Sequence, residues 1–529
     1  MAPITSPHAS TPRVLHVSNL TRNAITIALR ALLPTSSSPS SARVVALGGL
    51  LLSASSSPDK VDTEPLFPDE SELVVPAKSL RTLTHSKLVA KSLQVALFPS
   101  DDEFSPRDSA EQDSSALRLP HRGQVINLKW GRWGPRSRLL KRSAEDKWLV
   151  YQSIDQHALQ PSHQRLSKHA HLLTIVDRFP ISLWMSLVPD EARLCSLYLP
   201  GTHQSLAFYG GPISTCQSRS HPLNASLENG CRFLDFRFKL TEESTLVAFH
   251  GIQNQVTTAI KAFDILYAFI QRHPTETIIV SVKQENRARG FANVLMDLLD
   301  QRANLWYTND RWPTMGEARG RLVLFCRFDF NHENCLWHRE EGLHPIRWPH
   351  NLNTPFLTPI SDPFPPLEAT YQPTAVIQDW YSIGSFLKIP EKTRLVMTVF
   401  HYRNQPIDDK RSKSPERRRS SHSSSTPEPP TLNYLPPGHH DALTRISFLS
   451  ASSLFTAFPS IVAKGFGLGP SNWLGFQGVN ARVLDQMLRR GLEDDWKSPT
   501  GESMGMIWLV DFWEAPLGLI ELMVAWNGL

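Results

Sequence analysis

Cysteine is scarce in this chain: five among 529 residues, at positions 195, 216, 231, 326 and 335. The number is odd and no two stand as C-x-x-C, so the spacing suggests neither a disulfide framework nor a zinc site. Long apolar runs are missing as well. The longest early one, Val44 to Leu52, holds two glycines and falls far short of the roughly 20 residues that a membrane span requires. The opening M-A-P-I-T-S-P-H has no basic stretch followed by an apolar core, so no secretory leader is expected. A reducing, cytoplasmic setting is the consequence, in which N-x-S/T at Asn19 and Asn224 reads as chance rather than as a glycan acceptor. Charge of one sign is also lacking. Lys and Arg number 55 against 50 Asp and Glu, leaving +5, which is too little for a general nucleic-acid grip. Attraction to an anionic bilayer then requires that charge to be locally concentrated.

What is present is globular. Hydrophobic residues make up 41% and charged residues 20%, enough apolar material for more than one core. The 41 prolines and the serine strings mark unstructured linkers within it. Residues 1–155 read as short alternating segments, among them Val14–Val17, Ile25–Leu29, Leu93–Leu97 and Trp148–Tyr151, separated by Ser/Pro/Asp-rich loops at 34–42, 53–70 and 100–116. That pattern predicts an antiparallel β-sandwich whose role is docking or packing. Residues 156–193 are expected to connect this sandwich to a second domain.

From Leu194 the pattern changes to strand, loop, helix, strand. Leu197–Leu199, Phe233–Phe236, Leu246–Phe249, Ile278–Val282, Leu322–Phe325 and Ile507–Val510 are short continuous apolar runs, as expected of strands buried on both faces of a parallel sheet. Amphipathic helices are predicted over Thr257–Arg272, Phe291–Leu299 and Asn480–Arg490. The fold class is therefore α/β, a barrel or an open sheet over 194–402 and 441–529, with its site at the C-terminal ends of the strands. Residues 403–440 interrupt it with Arg403, Lys410, Arg411, Lys413 and Arg417–Arg419 among serines and prolines. This insertion reads as disordered: a tether phosphorylated at Ser420 and Ser421, an anionic-lipid contact, or a plain linker.

Three places carry chemistry. Pro200-Gly201-Thr202-His203 delivers an imidazole at a strand end, and imidazole titrates near neutrality. Asp235 and Arg237 lie two apart on an apolar strand and so share one face, where they must pair or meet a polar cavity. Phe249-His250-Gly251 ends another strand with a second imidazole. Two histidines with an arginine between them suit cleavage of a phosphodiester without metal: one ring takes a proton, one gives a proton, and the guanidinium holds the phosphoryl charge.

The ordered set P-G-T-H-x-S, G-x-R-F-L-D-x-R, H-G and P-T-E-T-I-I-V-S-V-K-Q-E, at residues 200–285, resembles the X region of phosphatidylinositol-specific phospholipase C. The likeness is to its bacterial, metal-independent branch and covers roughly 190–400 and 441–529. The resemblance implies a distorted TIM-type barrel and a two-step reaction. The inositol 2-hydroxyl attacks phosphorus, releasing diacylglycerol and a cyclic phosphate that water later opens. It assigns His203 as general base, His250 as general acid, Arg237 to the phosphoryl oxygens, Asp235 to orienting Arg237, and Asp511 to orienting His203. Lys283, Arg327, Asp379 and Tyr381 fall to head-group binding. No cofactor is implied, and the partner is a phospholipid at a membrane surface. Calcium-dependent relatives carry acids where Arg237 stands, so no calcium requirement is expected. Gln204 departs from the bacterial pattern, which has Asp there. An amide can orient His250 by a hydrogen bond but cannot raise its pKa. That departure keeps a head-group binding protein open as an alternative, and a third reading is a phosphodiesterase for a glycerophosphodiester or sphingolipid, for which related barrels generally need a metal. Leu206–Tyr209 and Trp473–Phe476 are expected to serve either membrane insertion or core packing.

Overall fold

The computed structural model describes residues 13–32, 44–45, 73–75, 79–85, 92–99, 124–129, 137–140, 146–155, 170–328, 341–360, 374–402, 443–453, 456–468, 474–490 and 505–528. The loops expected at 34–42, 53–70 and 100–116, the insertion at 403–440 with Ser420 and Ser421, and Trp473 lie outside the described residues.

The N-terminal part forms two sheets. Leu15 and Val17 of one and Ile25, Ile27, Val95 and Leu97 of the other are buried in one common cluster, as alternating strands require when one face of each sheet is covered. The segment expected as a connector supplies a strand, Ala170–Asp177, which pairs parallel with Arg13–Asn19 and antiparallel with Trp148–Asp155. The sandwich is thus not wholly antiparallel. It also packs on the C-terminal half: Leu139, Leu149 and Leu172 share a cluster with Val483, Met487 and Leu519, and the Tyr151 hydroxyl donates to the Gly518 carbonyl at 2.8 Å.

The rest is a curled, mostly parallel sheet. Its order is Trp306–Tyr307, Leu322–Arg327, Ile278–Gln284, Phe233–Leu240, Tyr198–Thr202, Met506–Val510, Leu443–Phe448 and Thr374–Gln378, with Phe356–Pro359 added antiparallel at the end. The segment 341–346 runs from Leu322–Arg327 to Phe356–Pro359. Cys326 donates its N–H to Leu343 O at 2.6 Å, and Ile346 donates to Pro359 O at 3.1 Å. The sheet is thereby curled into a distorted TIM-type (β/α) half-barrel.

Side-chain alternation divides the barrel strands. Leu199, Phe233, Ile279, Val323, Ile377, Ile446 and Ile507 fill the interior. Leu234, Phe236, Val280 and Leu324 face outward onto Phe263, Leu266 and Leu295 of the helices Ala259–Arg272 and Phe291–Asp300. Gly201 is required by close approach, since a Cβ there would lie 2.4 Å from Phe233 O. The turn Ile181–Leu187 adds the buried Trp184 and Met185 to the inner cluster. Beside it Glu276 receives two N–H bonds from Arg232, at 2.9 and 2.6 Å, and both side chains are fully buried.

One expected parallel strand is not one. Leu246–His250 pairs antiparallel with the far half of Phe233–Leu240 and with Gln253–Thr258. The short turn between Leu240 and Leu246 leaves no room for a crossover helix, so only a hairpin can form. Conversely, Leu443–Phe448 is a barrel strand without a continuous apolar run, and Thr374–Gln378 carries only Ala375–Ile377. Gln378, Thr444, Arg445 and Ser447 are buried within them, and the Arg445 guanidinium is satisfied by the carbonyls of Gly505 and Phe400 at 3.0 and 2.6 Å.

Candidate active site

The inward parity that buries Phe233, Ile279, Val323, Ile377 and Ile507 continues by twos to the strand ends, where the next inward positions are polar. Those positions are His203, Asp235, Arg237, Lys283, Arg327, Asp379 and Asp511, and apart from the fully buried Asp235 they line one cavity of about 1140 Å³ together with His250 and Tyr381. The register sharpens this. Arg237 stands opposite Lys283, and Lys283 opposite Arg327, so three neighbouring strands present three cations in one row.

His203 is 8% exposed, and its Nδ1 lies 2.8 Å from Oδ1 of the buried Asp511. Burial pushes the imidazole well below its ordinary range, reinforced by Arg237, and the same desolvation pushes the Asp511 carboxyl up. Burial disfavours charge on either partner. In the tautomer whose Nδ1–H donates to Asp511, the other ring nitrogen is the acceptor edge. Across the cavity His250 Nδ1 lies 2.8 Å from the Ser214 carbonyl. A carbonyl only accepts, so Nδ1 carries the hydrogen and Nε2 is the proton-exchanging atom. Burial lowers the pKa of this ring too.

Arg237 donates Nε to Asp235 Oδ2 at 2.9 Å and lies 3.6 Å from Glu285. Burial alone would raise the Asp235 pKa, but Arg237 and Arg327 hold the carboxylate ionised, well below its ordinary value. Lys283 donates to Glu285 at 2.7 Å. Burial and the neighbouring Arg237 draw its pKa down to about 8. Arg327 bonds Asp235 Oδ1 at 3.3 Å and stacks 3.7 Å over the Trp348 ring, whose Nε1 donates to Asp379 at 2.8 Å. The Tyr381 hydroxyl pairs with His350 Nε2 at 2.5 Å. Every carboxylate of the cation row is thus already matched to a fixed positive group.

Gln204 is placed differently from expectation. Its backbone N–H donates to Asp235 at 3.1 Å with φ at +45°, and its buried Nε2 has no hydrogen-bond partner. His250 is oriented by the Ser214 carbonyl instead. The segment 214–217 carries no signal in the sequence, yet it ties both rings together. Gln217 Nε2 donates to the carbonyls of His203 and Val510 at 2.7 and 3.0 Å, and Phe512 N–H donates to Cys216 O at 2.9 Å. The Cys216 thiol lies 3.7 Å from His250 Nδ1 and within 4.8 Å of the Asp511 carboxylate. No spacing marks these residues, because they reach the site through loop backbone rather than strand alternation. Glu285 was missed as a site residue, although its spacing of two from Lys283 puts both on one face. Replacing Gln217 by alanine is expected to lower kcat about tenfold with KM unchanged, reading the two lost backbone ties as about 1.4 kcal/mol. Parallel kinetics and melting curves check this, and an unchanged kcat would refute it.

Of the apolar segments expected at the rim, Leu206 and Ala207 are buried core, whereas Tyr209 is exposed beneath Arg219, 4.4 Å over its ring. Phe476 stacks on the exposed Phe466 with ring centroids 6.0 Å apart.

No family model matches the sequence. Curated relatives do: the 1-phosphatidylinositol phosphodiesterase of Listeria monocytogenes is 28% identical over 153 residues, 27% of this chain and 47% of the relative. That of Staphylococcus aureus strain Newman is 26% identical over 156 residues, 27% of this chain and 50% of the relative. The chain spans about half the length of the curated relatives it matches. Among solved structures, phosphatidylinositol-specific phospholipase C from Listeria monocytogenes aligns at TM-score 0.41 and 20% identity, over 66% of this chain and 99% of that one. A Staphylococcus aureus counterpart aligns at 0.45 and 17%, over 66% and 98%.

Proposed function

We infer that this chain, whose barrel resembles the bacterial 1-phosphatidylinositol phosphodiesterases, is a phosphodiesterase of the phosphatidylinositol-specific phospholipase C type that works without a metal cofactor. The observation that carries the reading is two imidazoles and one guanidinium around a single cavity, the first ring tied to Asp511 at 2.8 Å. His203 takes the proton from the inositol 2-hydroxyl as that oxygen attacks phosphorus. Arg237, aimed by Asp235, holds the phosphoryl oxygens as their charge grows. His250 Nε2 gives its proton to the departing glycerol oxygen. Diacylglycerol leaves, and the cyclic inositol phosphate remains for a second round with water. Lys283, Arg327, Asp379 and Tyr381 offer the polar contacts that a polyhydroxylated ring needs. Arg237 occupies the position where a bound cation would otherwise offset phosphoryl charge.

The substrate is delivered by a bilayer. Among the described residues no helix is long and apolar enough to cross a membrane, and association is peripheral. Tyr209, Ile213, Ile252, Ile346, Leu387 and Phe466 are exposed, and all sit on segments that follow C-terminal ends of barrel strands or line the cavity. Exposed large apolar side chains gathered around a mouth suit an interface. Ile252 is 96% exposed one residue beyond Gly251, which lines the cavity. Ile252→Asp should cut binding to phosphatidylinositol vesicles about tenfold, since burying such a side chain contributes roughly 1.5–3 kcal/mol. Cleavage of a monomeric short-chain substrate should be unchanged. Equal vesicle binding would remove this surface from the reading.

A phosphorus NMR time course on phosphatidylinositol vesicles tests the activity. Cyclic inositol phosphate should appear first, at the same rate with chelator present. Cleavage abolished by chelator, or no cyclic product, would overturn the assignment.

A further inference from the structure

We propose that Cys216, His203 and Asp511 form a binding site for a soft divalent cation of the zinc class, and that its occupation switches the phosphodiesterase off. The second half of this rests on the function proposed above; the binding site itself does not. The ligand atoms of the three side chains lie within 4.8 Å of one another, and all three residues are buried. Thiolate, imidazole and carboxylate are the donors that zinc takes, and three protein ligands with one open position is a four-coordinate arrangement it adopts. The open position faces the cavity, which His203, Cys216 and Asp511 all line, so an ion has a route in and a water can complete the shell. Calcium and magnesium need six or more oxygen ligands, and a single carboxylate beside a thiol does not supply them.

The backbone holds the thiol in place before any ion arrives. Cys216 N–H donates to Ala207 O at 2.9 Å, and its carbonyl accepts from Phe512 N–H at 2.9 Å, which sets residue 216 beside residue 511. Charge also balances. A thiolate and a carboxylate together offset a divalent ion, while the nearby Arg237 is already matched by Asp235 at 2.9 Å and Glu285 at 3.6 Å. On binding, the thiol proton passes to solvent, the hydrogen between His203 and Asp511 moves to the other ring nitrogen, a sulfur–metal bond forms, and no electron changes hands. The imidazole that serves as base is then held by the ion and cannot accept the proton of the attacking hydroxyl. His250, 3.7 Å from the thiol, stays on the Ser214 carbonyl and is not a ligand.

The test uses cobalt(II) as a spectroscopic probe and zinc as the inhibitor, on the full chain. Titration with cobalt should produce a near-ultraviolet sulfur-to-cobalt charge-transfer band and visible bands of a four-coordinate ion. Both Cys216→Ala and Cys216→Ser should lose the charge-transfer band while keeping the wild-type circular dichroism, the serine variant covering the case in which alanine fails to fold. Zinc should inhibit vesicle cleavage by the wild type, reversibly on adding chelator, and loss of a direct ligand should weaken that inhibition at least about tenfold in Cys216→Ser. No thiolate band in the wild type, or equal zinc inhibition of wild type and Cys216→Ser, would overturn the proposal. A cobalt band in a protein that cleaves no inositol lipid would keep the metal site and refute the function, so the two failures are distinguishable.

Discussion

His203→Ala is expected to lower turnover of phosphatidylinositol about 10²–10⁴-fold, the range that a positioned general base supplies. The ring is the group whose Nδ1 is occupied by Asp511 and whose remaining edge faces the cavity. Its loss therefore removes the acceptor for the attacking hydroxyl's proton without emptying the head-group pocket, and KM should move far less than kcat. His250→Ala should cost a similar factor with the natural lipid. The two variants separate on a substrate whose leaving group is already a good one, such as a nitrophenyl inositol phosphate. That leaving oxygen needs no proton, so His250→Ala should recover most of its activity and His203→Ala should recover none. The double variant should be little worse than either single one, because the two rings serve one displacement and their effects do not add. If vesicles are cleaved equally well with either ring missing, acid–base catalysis at these positions is refuted.

Arg237→Ala is the second large effect. Removing a preorganised donor aimed at developing oxyanion charge costs about 10²–10³ in kcat. Arg237→Lys should restore little of it, since an ammonium cannot keep the Asp235 bond at 2.9 Å and also reach the phosphoryl oxygens with a fixed fork. The variant also tests stability. Asp235 is 1% exposed, and in the absence of Arg237 it keeps only Arg327 at 3.3 Å and the Gln204 N–H at 3.1 Å. Breaking a buried ion pair from one side costs about 3–5 kcal/mol, so a lower melting temperature is expected. Truncating both partners, Arg237→Ala with Asp235→Asn, should recover part of that stability and none of the activity. Full activity in Arg237→Ala would remove the guanidinium from the mechanism. Loss of activity that returns with stability in the double variant would reduce its role to folding.

Much of this site could be read from the chain because a strand's side-chain period is local. Once Phe233 is placed inside, Asp235 and Arg237 must take the same face, and the same count carries Ile279 to Lys283 and Val323 to Arg327. The pattern failed where a neighbour, not a period, sets the structure. Leu246–His250 has the composition of a buried parallel strand, but the turn before it is too short for anything but a hairpin. Leu443–Phe448 lacks an apolar run because partners distant in sequence satisfy its buried Arg445.

The amino-acid order by itself therefore determined the set of polar residues at strand ends and the face each one takes, since both depend on alternation over a few residues. Only the curled sheet decided which of them meet. His203 and Asp511 lie 308 positions apart in sequence and touch because their strands pair side by side. The Ser214 carbonyl, the Cys216 thiol and the Gln217 amide reach the rings through loop backbone, and no periodicity encodes where a loop's carbonyls point.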